Sequence, residues 1–266
     1  MAANQVRYGC TALLGVNKKG IIKPDANGYY PITVGGFNVH NYGGAYYPLG
    51  EAAKLFEESG SLMRRIKAGV VRAELGHPRK ENMGPNDFFK RLNEIYEEKV
   101  CGHFAEVWLD YDNYKSKSGF PMVAIVARVK PSGPYCDTLK MSLDNPEEET
   151  CFSIRAAVVP KMEGGREVRY VEDIVTWDYV NEGGIAIARK YYSMALESMD
   201  ARMTDIATED NLIVTPAMLE HATKASIRTM GLESEDTQRL KDLGERLGWD
   251  RPTRTSFPTP SYLKWS

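Results

Sequence analysis

Cys151-Phe152-Ser153-Ile154-Arg155-Ala156-Ala157 is a short apolar run with one serine and one arginine set into it. In a strand, side chains alternate between faces, so Phe152, Ile154 and Ala156 share one face and Cys151, Ser153 and Arg155 share the other. The second face then carries a hydroxyl beside a cation. A serine hydroxyl is a weak nucleophile until a base takes its proton, so chemistry at Ser153 needs a histidine, and a group to hold that histidine, from elsewhere in the chain.

The chain around this run has 266 residues, enough for one large domain or two small ones with a substantial core. Its 42% hydrophobic and 26% charged residues match a folded globular protein, and a formal charge of -2 gives no reason to expect nucleic acid as a main partner. No apolar run reaches the roughly 18 residues of a membrane span, and no basic-then-apolar leader opens the sequence, which predicts a protein that works where it is made. Cys10, Cys101, Cys136 and Cys151 are scattered with no C-x-x-C pair, as expected of reduced thiols rather than a disulfide framework or zinc site.

Upstream, Asn27-Gly28, Gly35-Gly36 and Gly43-Gly44 punctuate short strands, one of them over Tyr30 to Val34. A phosphate-cradling loop would need G-x-G-x-x-G or a following Lys-Ser/Thr, and neither is present. Glu51 to Ala68 reads as two short helices split at Ser59-Gly60-Ser61, and Gly69 to Leu75 as a strand ending at Gly76-His77-Pro78. Asn86 to Lys99 has helical spacing with Asn86 as N-cap, followed by strands over His103 to Asp110 and Met122 to Val129. Residues 131 to 148 read as loop. Beyond the serine run, Glu163-Gly164-Gly165 marks a hairpin leading into a strand that reaches Val180. Ile185 to about Met199 has a helical pattern. Thr215-Pro216 and Gly231 bracket a helix, Ser234 to Gly248 form another, and the proline-rich end beyond Trp249 reads as irregular. Residues 1–197 thus read as a strand-rich domain and 198–266 as a helical C-terminal extension.

Of the four histidines, His40 falls in a glycine-rich turn, His221 in a C-terminal helix and His103 at the start of a core strand. His77 differs, because Gly76 frees the turn before it and Pro78 keeps it out of helical geometry, so its imidazole stands at a defined strand end. A catalytic base also needs an acceptor on its second nitrogen. Asp178, a lone acid within Ile174-Val175-Thr176-Trp177-Asp178-Tyr179-Val180, is the leading candidate, with Glu74, Glu172 and Asp173 as rivals. A cysteine hydrolase built on Cys151 competes with the serine reading, but the acidic run Glu147-Glu148-Glu149 would raise that thiol's pKa. No histidine pair has metal-ligand spacing.

Gly76-His77-Pro78, Phe152-Ser153-Ile154-Arg155-Ala156 and Val175-Thr176-Trp177-Asp178-Tyr179-Val180, in that order, resemble the signature blocks of the prohead maturation proteases of tailed bacteriophages, serine proteases related in fold to the herpesvirus assemblins. The resemblance covers residues 7 to 195. It implies an α+β fold, a β-barrel-like core surrounded by helices, with Ser153 as nucleophile, His77 as general base and Asp178 as third member. It puts Arg155 and Ala156 in the substrate or oxyanion region, with oxyanion donors near Ser153 or in the Asn181 to Gly184 turn, and Arg155 as one cation that could meet a substrate carboxylate. It implies no cofactor or metal.

The same resemblance implies procapsid scaffold and capsid proteins as partners, action inside the assembling procapsid in the host cytoplasm, and no need for nucleic acid or membrane; a homo-oligomer is compatible with it. Such enzymes cut after glutamate in small-x-Glu or Leu-x-Glu contexts and trim themselves. Ala195-Leu196-Glu197 and Gly231-Leu232-Glu233 fit that pattern, which makes Glu197 and Glu233 self-cleavage candidates and the segment beyond them removable. The alternative of a different class is an inactive scaffold-like or capsid-associated protein with a degenerate protease fold.

Overall fold

The computed structural model describes residues 6–11, 15–41, 43–115, 119–181, 184–185, 187–193, 196–204 and 209–249. Its first half contains strands β1 (Val6–Thr11), β2 (Gly15–Ile22), β3 (Tyr30–Phe37), β4 (Val39–His40) and β5 (Tyr46–Tyr47), then a 3-10 helix (Gly50–Phe56) and helix α1 (Ser61–Lys67). Strand β6 (Arg72–Glu74), helix α2 (Pro85–Asn93), β7 (Val100–Asp110), β8 (Val123–Pro131) and helix α3 (Cys136–Asp144) follow. The second half contains β9 (Cys151–Glu163), β10 (Arg166–Val180), β11 (Leu196–Thr204), β12 (Glu209–Val214), α4 (Pro216–Met230) and α5 (Glu235–Leu247).

The serine run opens β9, which forms a long antiparallel hairpin with β10. Gly164 and Gly165 make its turn with φ of 55° and 77°, the two positive values that let a two-residue turn match the strand twist. Register shifts at Val171/Asp173 and Ile174/Thr176 mark irregularities that bend the hairpin. Arg65 of α1 spans the second one, donating to the Val175 carbonyl at 2.7 Å and to that of Ile174. A buried guanidinium thereby serves backbone acceptors where the pairing is irregular.

The hairpin lies within a six-stranded sheet of order β12-β1-β9-β10-β5-β4, and a four-stranded sheet runs β3-β8-β7-β6. The two meet where Leu75 bridges Tyr179 and the Gly76 N–H donates to the Tyr179 carbonyl at 2.7 Å. They curl around one apolar core as the expected barrel-like body, with Phe104 packed edge-on to Phe152 and Trp177 at centroid distances of 5.9 and 5.6 Å. Alternation puts Phe152, Ile154 and Ala156 into that core and turns Ala157, Val159 and Val175 toward a second cluster. There Phe88, Phe89 and Leu92 of α2 join Leu219 of α4 and Leu240, Leu243 and Leu247 of α5.

Several elements differ from the sequence-based expectation. Among the described residues of 185–199 there is no α-helix where one was expected: Lys190–Tyr192 makes a 3-10 turn, and Leu196 onward is strand β11, paired with β2. Backbone pairing wins over local pattern here, because the Ala188 carbonyl accepts from Phe152 N at 3.1 Å and Lys190 N donates to Thr150 O at 2.9 Å. Strands β11 and β12 also mean that the segment after residue 197 is not helical throughout. Helix α3 occupies part of the expected loop between Pro134 and Pro146, and α2 starts after a Gly84 N-cap and stops at Asn93. The two C-terminal helices fall where their caps predict, Thr215 and Ser234 accepting from Met218 N and Thr237 N. The proline-rich end from residue 250 lies outside the described residues.

Candidate active site

Strand β6 ends at Glu74, and the next two residues hold the chain against the end of β10. Gly76 then takes φ of 75°, a conformation costly for any residue with a Cβ, and turns the chain so that His77 reaches β10. Its Nδ1 lies 2.9 Å from Asp178 Oδ2. With an ionised carboxylate as partner, Nδ1 carries the proton and Nε2 is left as the basic nitrogen.

Asp178 stands opposite Ser153 in the β9–β10 ladder, and opposite residues of an antiparallel pair project to the same face. The hairpin register therefore puts Ser153 and the residue that holds the imidazole opposite one another on one face of the ladder. Ser153 and Asp178 are both buried, whereas His77 keeps 19% of its side-chain surface exposed. Arg155, two residues along the same face, turns onto Asp178: Nε donates to Oδ2 at 2.9 Å and Nη2 to Oδ1 at 2.6 Å. The Glu74 N–H also reaches Asp178 Oδ1 at 3.4 Å. Burial pushes the Asp178 carboxyl up, but Arg155 and His77 outweigh it and hold it below the ordinary carboxylate range.

Behind this pair is a second one. Glu74, fully buried, accepts from Arg91 Nη1 at 2.9 Å, from Arg91 Nη2 and from Tyr96 N at 2.7 Å. Arg155 Nη2 lies 3.4 Å from Glu74 Oε2, and both arginines donate to the Glu94 carbonyl beyond the end of α2. The sequence reading did not pair Arg91 with Glu74. Its available signal was Arg91's place among Phe88, Phe89 and Leu92, which puts a cation on the buried face of α2.

The other expected residues are placed as follows. His40 and His221 are exposed, and His103 bonds to the Tyr29 hydroxyl at 3.2 Å and the Gly69 carbonyl at 3.1 Å. Among the rival acids Glu74 is engaged with Arg91, Asp173 with Arg239 and Glu172 with Arg246. Arg155 is fully buried with its guanidinium on the Asp178 carboxylate, and Ala156 packs in the core. Cys151 is buried opposite Val180. Glu197 sits within β11 opposite Ile21, while Glu233 is exposed between α4 and α5. Residues 182 and 183 of the expected oxyanion turn lie outside the described residues. A small apolar cleft, with room for little more than a water molecule, adjoins Ser153, walled by Val34, Tyr47, Ile154, Ile185 and Ala188. Among the described residues no group of three or more histidines, cysteines or acids is arranged to hold a metal, and no helix is long and apolar enough to cross a membrane.

Comparison with known proteins adds to this geometry. The model of the peptidase S80 family matches residues 8–243. The capsid maturation protease of Pseudomonas phage phiKZ is 34% identical over 254 residues, which cover 93% of this chain and 90% of that protein. No solved structure matches.

Proposed function

From the premise that the chain belongs to the peptidase S80 family, we propose that it is a serine endopeptidase of phage procapsid maturation, with Ser153 as nucleophile, His77 as general base and Asp178 as the orienting acid. The observation that carries this reading is the His77–Asp178 hydrogen bond with Ser153 opposite Asp178 in the strand ladder. Asp178 keeps the proton on Nδ1, so Nε2 takes the Ser153 proton as Oγ attacks the scissile carbonyl. The imidazolium then protonates the leaving amine, and water, activated by the same nitrogen, hydrolyses the acyl-enzyme.

The substrates are scaffold and capsid proteins inside the procapsid in the host cell, cut after glutamate. Their recognition as maturation substrates rests on the likeness to the phiKZ protein. Glu233, exposed in a connection between helices, is the self-cleavage site that a protease could reach with least unfolding. Cleavage at Glu197 would first require unpairing β11 from β2.

The test is to incubate wild type, Ser153→Ala and Cys151→Ala with a scaffold substrate and measure intact masses. Wild type and Cys151→Ala should cut after glutamate, and Ser153→Ala should not. Cleavage surviving Ser153→Ala would end the serine reading, and an inactive wild type would favour a scaffold-like role. Mapping of new termini checks the self-cleavage assignment, which fails if cuts occur only away from Glu197 and Glu233.

A further inference from the structure

Resting on that assignment of Ser153, His77 and Asp178, we propose that Arg155 is a positioning residue that, backed by Glu74 and Arg91, fixes the plane of the Asp178 carboxylate and sets the proton affinity of His77. Its position two residues after the nucleophile suits a substrate-binding cation, but the guanidinium points the other way. Nε and Nη2 engage both oxygens of Asp178, and Nη1 donates to the Glu94 carbonyl at 2.9 Å. A planar fork on both oxygens fixes the carboxylate orientation, which a single bond would leave open to rotation. The oxygen shared with Arg155 Nε is also the one that meets His77 Nδ1.

Among the described residues, the charged groups linked to the imidazole through Asp178 come from four elements. β10 supplies Asp178, β9 Arg155, β6 Glu74 and α2 Arg91. From β7, the buried Cys101 thiol is pushed up by burial, with Asp178 and Glu74 adding to the effect, so it stays protonated and uncharged. Two carboxylates and two guanidinium groups balance when His77 is neutral. An uncompensated Asp178 would favour the imidazolium strongly. Arg155 offsets that pull, keeping His77 available to accept a proton near neutral pH. Glu74 moderates Arg155 in turn, while Arg91 neutralises Glu74 and ties the assembly to α2.

The test follows the His77 ring by NMR in full-length Ser153→Ala protein carrying ¹³C-labelled histidine, with His77→Gln to assign the signal. Arg155→Gln should raise the His77 pKa by about one unit or more, and Glu74→Gln should lower it. Arg155→Lys keeps the charge and should leave the pKa within about half a unit. In Ser153-containing protein the acidic limb of kcat/KM should move with these values, and Arg155→Lys should lose about tenfold in kcat because an ammonium cannot fork. A purely structural Arg155 would lower stability without moving the titration, and a His77 pKa unchanged by both glutamine substitutions overturns the proposal. Should Arg155→Gln not fold, an unshifted Glu74→Gln or a wild-type kcat in Arg155→Lys does so instead. The titration needs no turnover, so absence of cleavage by the parent protein would defeat the protease reading while still leaving this coupling measured.

Discussion

Asp178 accepts from His77, from two nitrogens of Arg155 and from the Glu74 N–H. Asp178→Asn replaces an acceptor-only group with one that presents donors to a guanidinium and an imidazole. It should lower kcat by about 10³ to 10⁴. It should also destabilise the fold by about 3–5 kcal/mol, because Arg155 is left buried without a full counter-charge; steady-state kinetics and urea unfolding measure the two effects. Since the folded Asp178 pKa is depressed, its contribution to stability is present above the unfolded value near 4 and is lost as pH falls through the folded value. Gly76→Ala tests the turn. No heavy atom lies near the added Cβ, so its cost is the left-handed φ, about 1–2 kcal/mol, and relief of that strain would displace His77. The expected outcome is a fall in kcat with little change in KM. Ser153, Asp178 and the glycine before His77 were legible as polar or flexible residues interrupting apolar strands. The direction of Arg155 was not, because alternation gives a face, while the choice between solvent and a carboxylate on that face depends on which strand lies alongside.

The C-terminal helices were readable because their ends carry local chemistry: a hydroxyl at each N-cap and a glycine after each last turn. Strand β11 was not, since its partner β2 lies far away in sequence and nothing local announces the pairing. The connection between the hairpin and β11 is also tied down by side chains. Lys190 Nζ donates to the Ser142 and Asn145 carbonyls at 2.7 Å each, and the Tyr191 N–H donates to Glu149 Oε1 at 3.1 Å. Burial pushes the Glu149 carboxyl from its ordinary value of 4.5 up to about 7. The folded state therefore holds this proton more tightly than the unfolded state. Its stabilising effect is complete below about pH 4.5 and declines as pH rises through about 7. Glu149→Gln mimics the protonated form, so its Tm should exceed that of wild type at pH 8 and nearly equal it at pH 5. A uniform difference across that range would count against this account.

Across the whole molecule, the barrel-like arrangement was legible through family resemblance, while the closure of β6 against β10 was not, being a contact between segments some hundred residues apart. The packing of α5 was likewise unannounced. Arg239, almost fully buried, meets Asp173 Oδ2 at 2.6 Å and Asn93 Oδ1 at 2.9 Å, and Arg64 reaches Asp242 at 2.6 Å. Arg239→Ala should destabilise the protein by about 3–5 kcal/mol by stranding Asp173, as thermal or urea unfolding would register. If the chain cuts itself after Glu233, α5 should stay docked: mass spectrometry would show two pieces and size exclusion one species, whereas separate elution would show that the helix leaves. The hairpin has a further consequence for timing. Ser153 and Asp178 face one another across a single turn and can meet as soon as β9 and β10 zip together, but His77 arrives only when a three-residue strand docks from a distant part of the chain. On the proposed assignment, nucleophile and acid would form an early, local pair, and the base would be the late arrival and the first to be lost when β6 opens. If Ser153 is the nucleophile as proposed, a half-folded copy would hold the serine without the means to activate it, and the order of assembly would itself delay proteolysis until the molecule is complete.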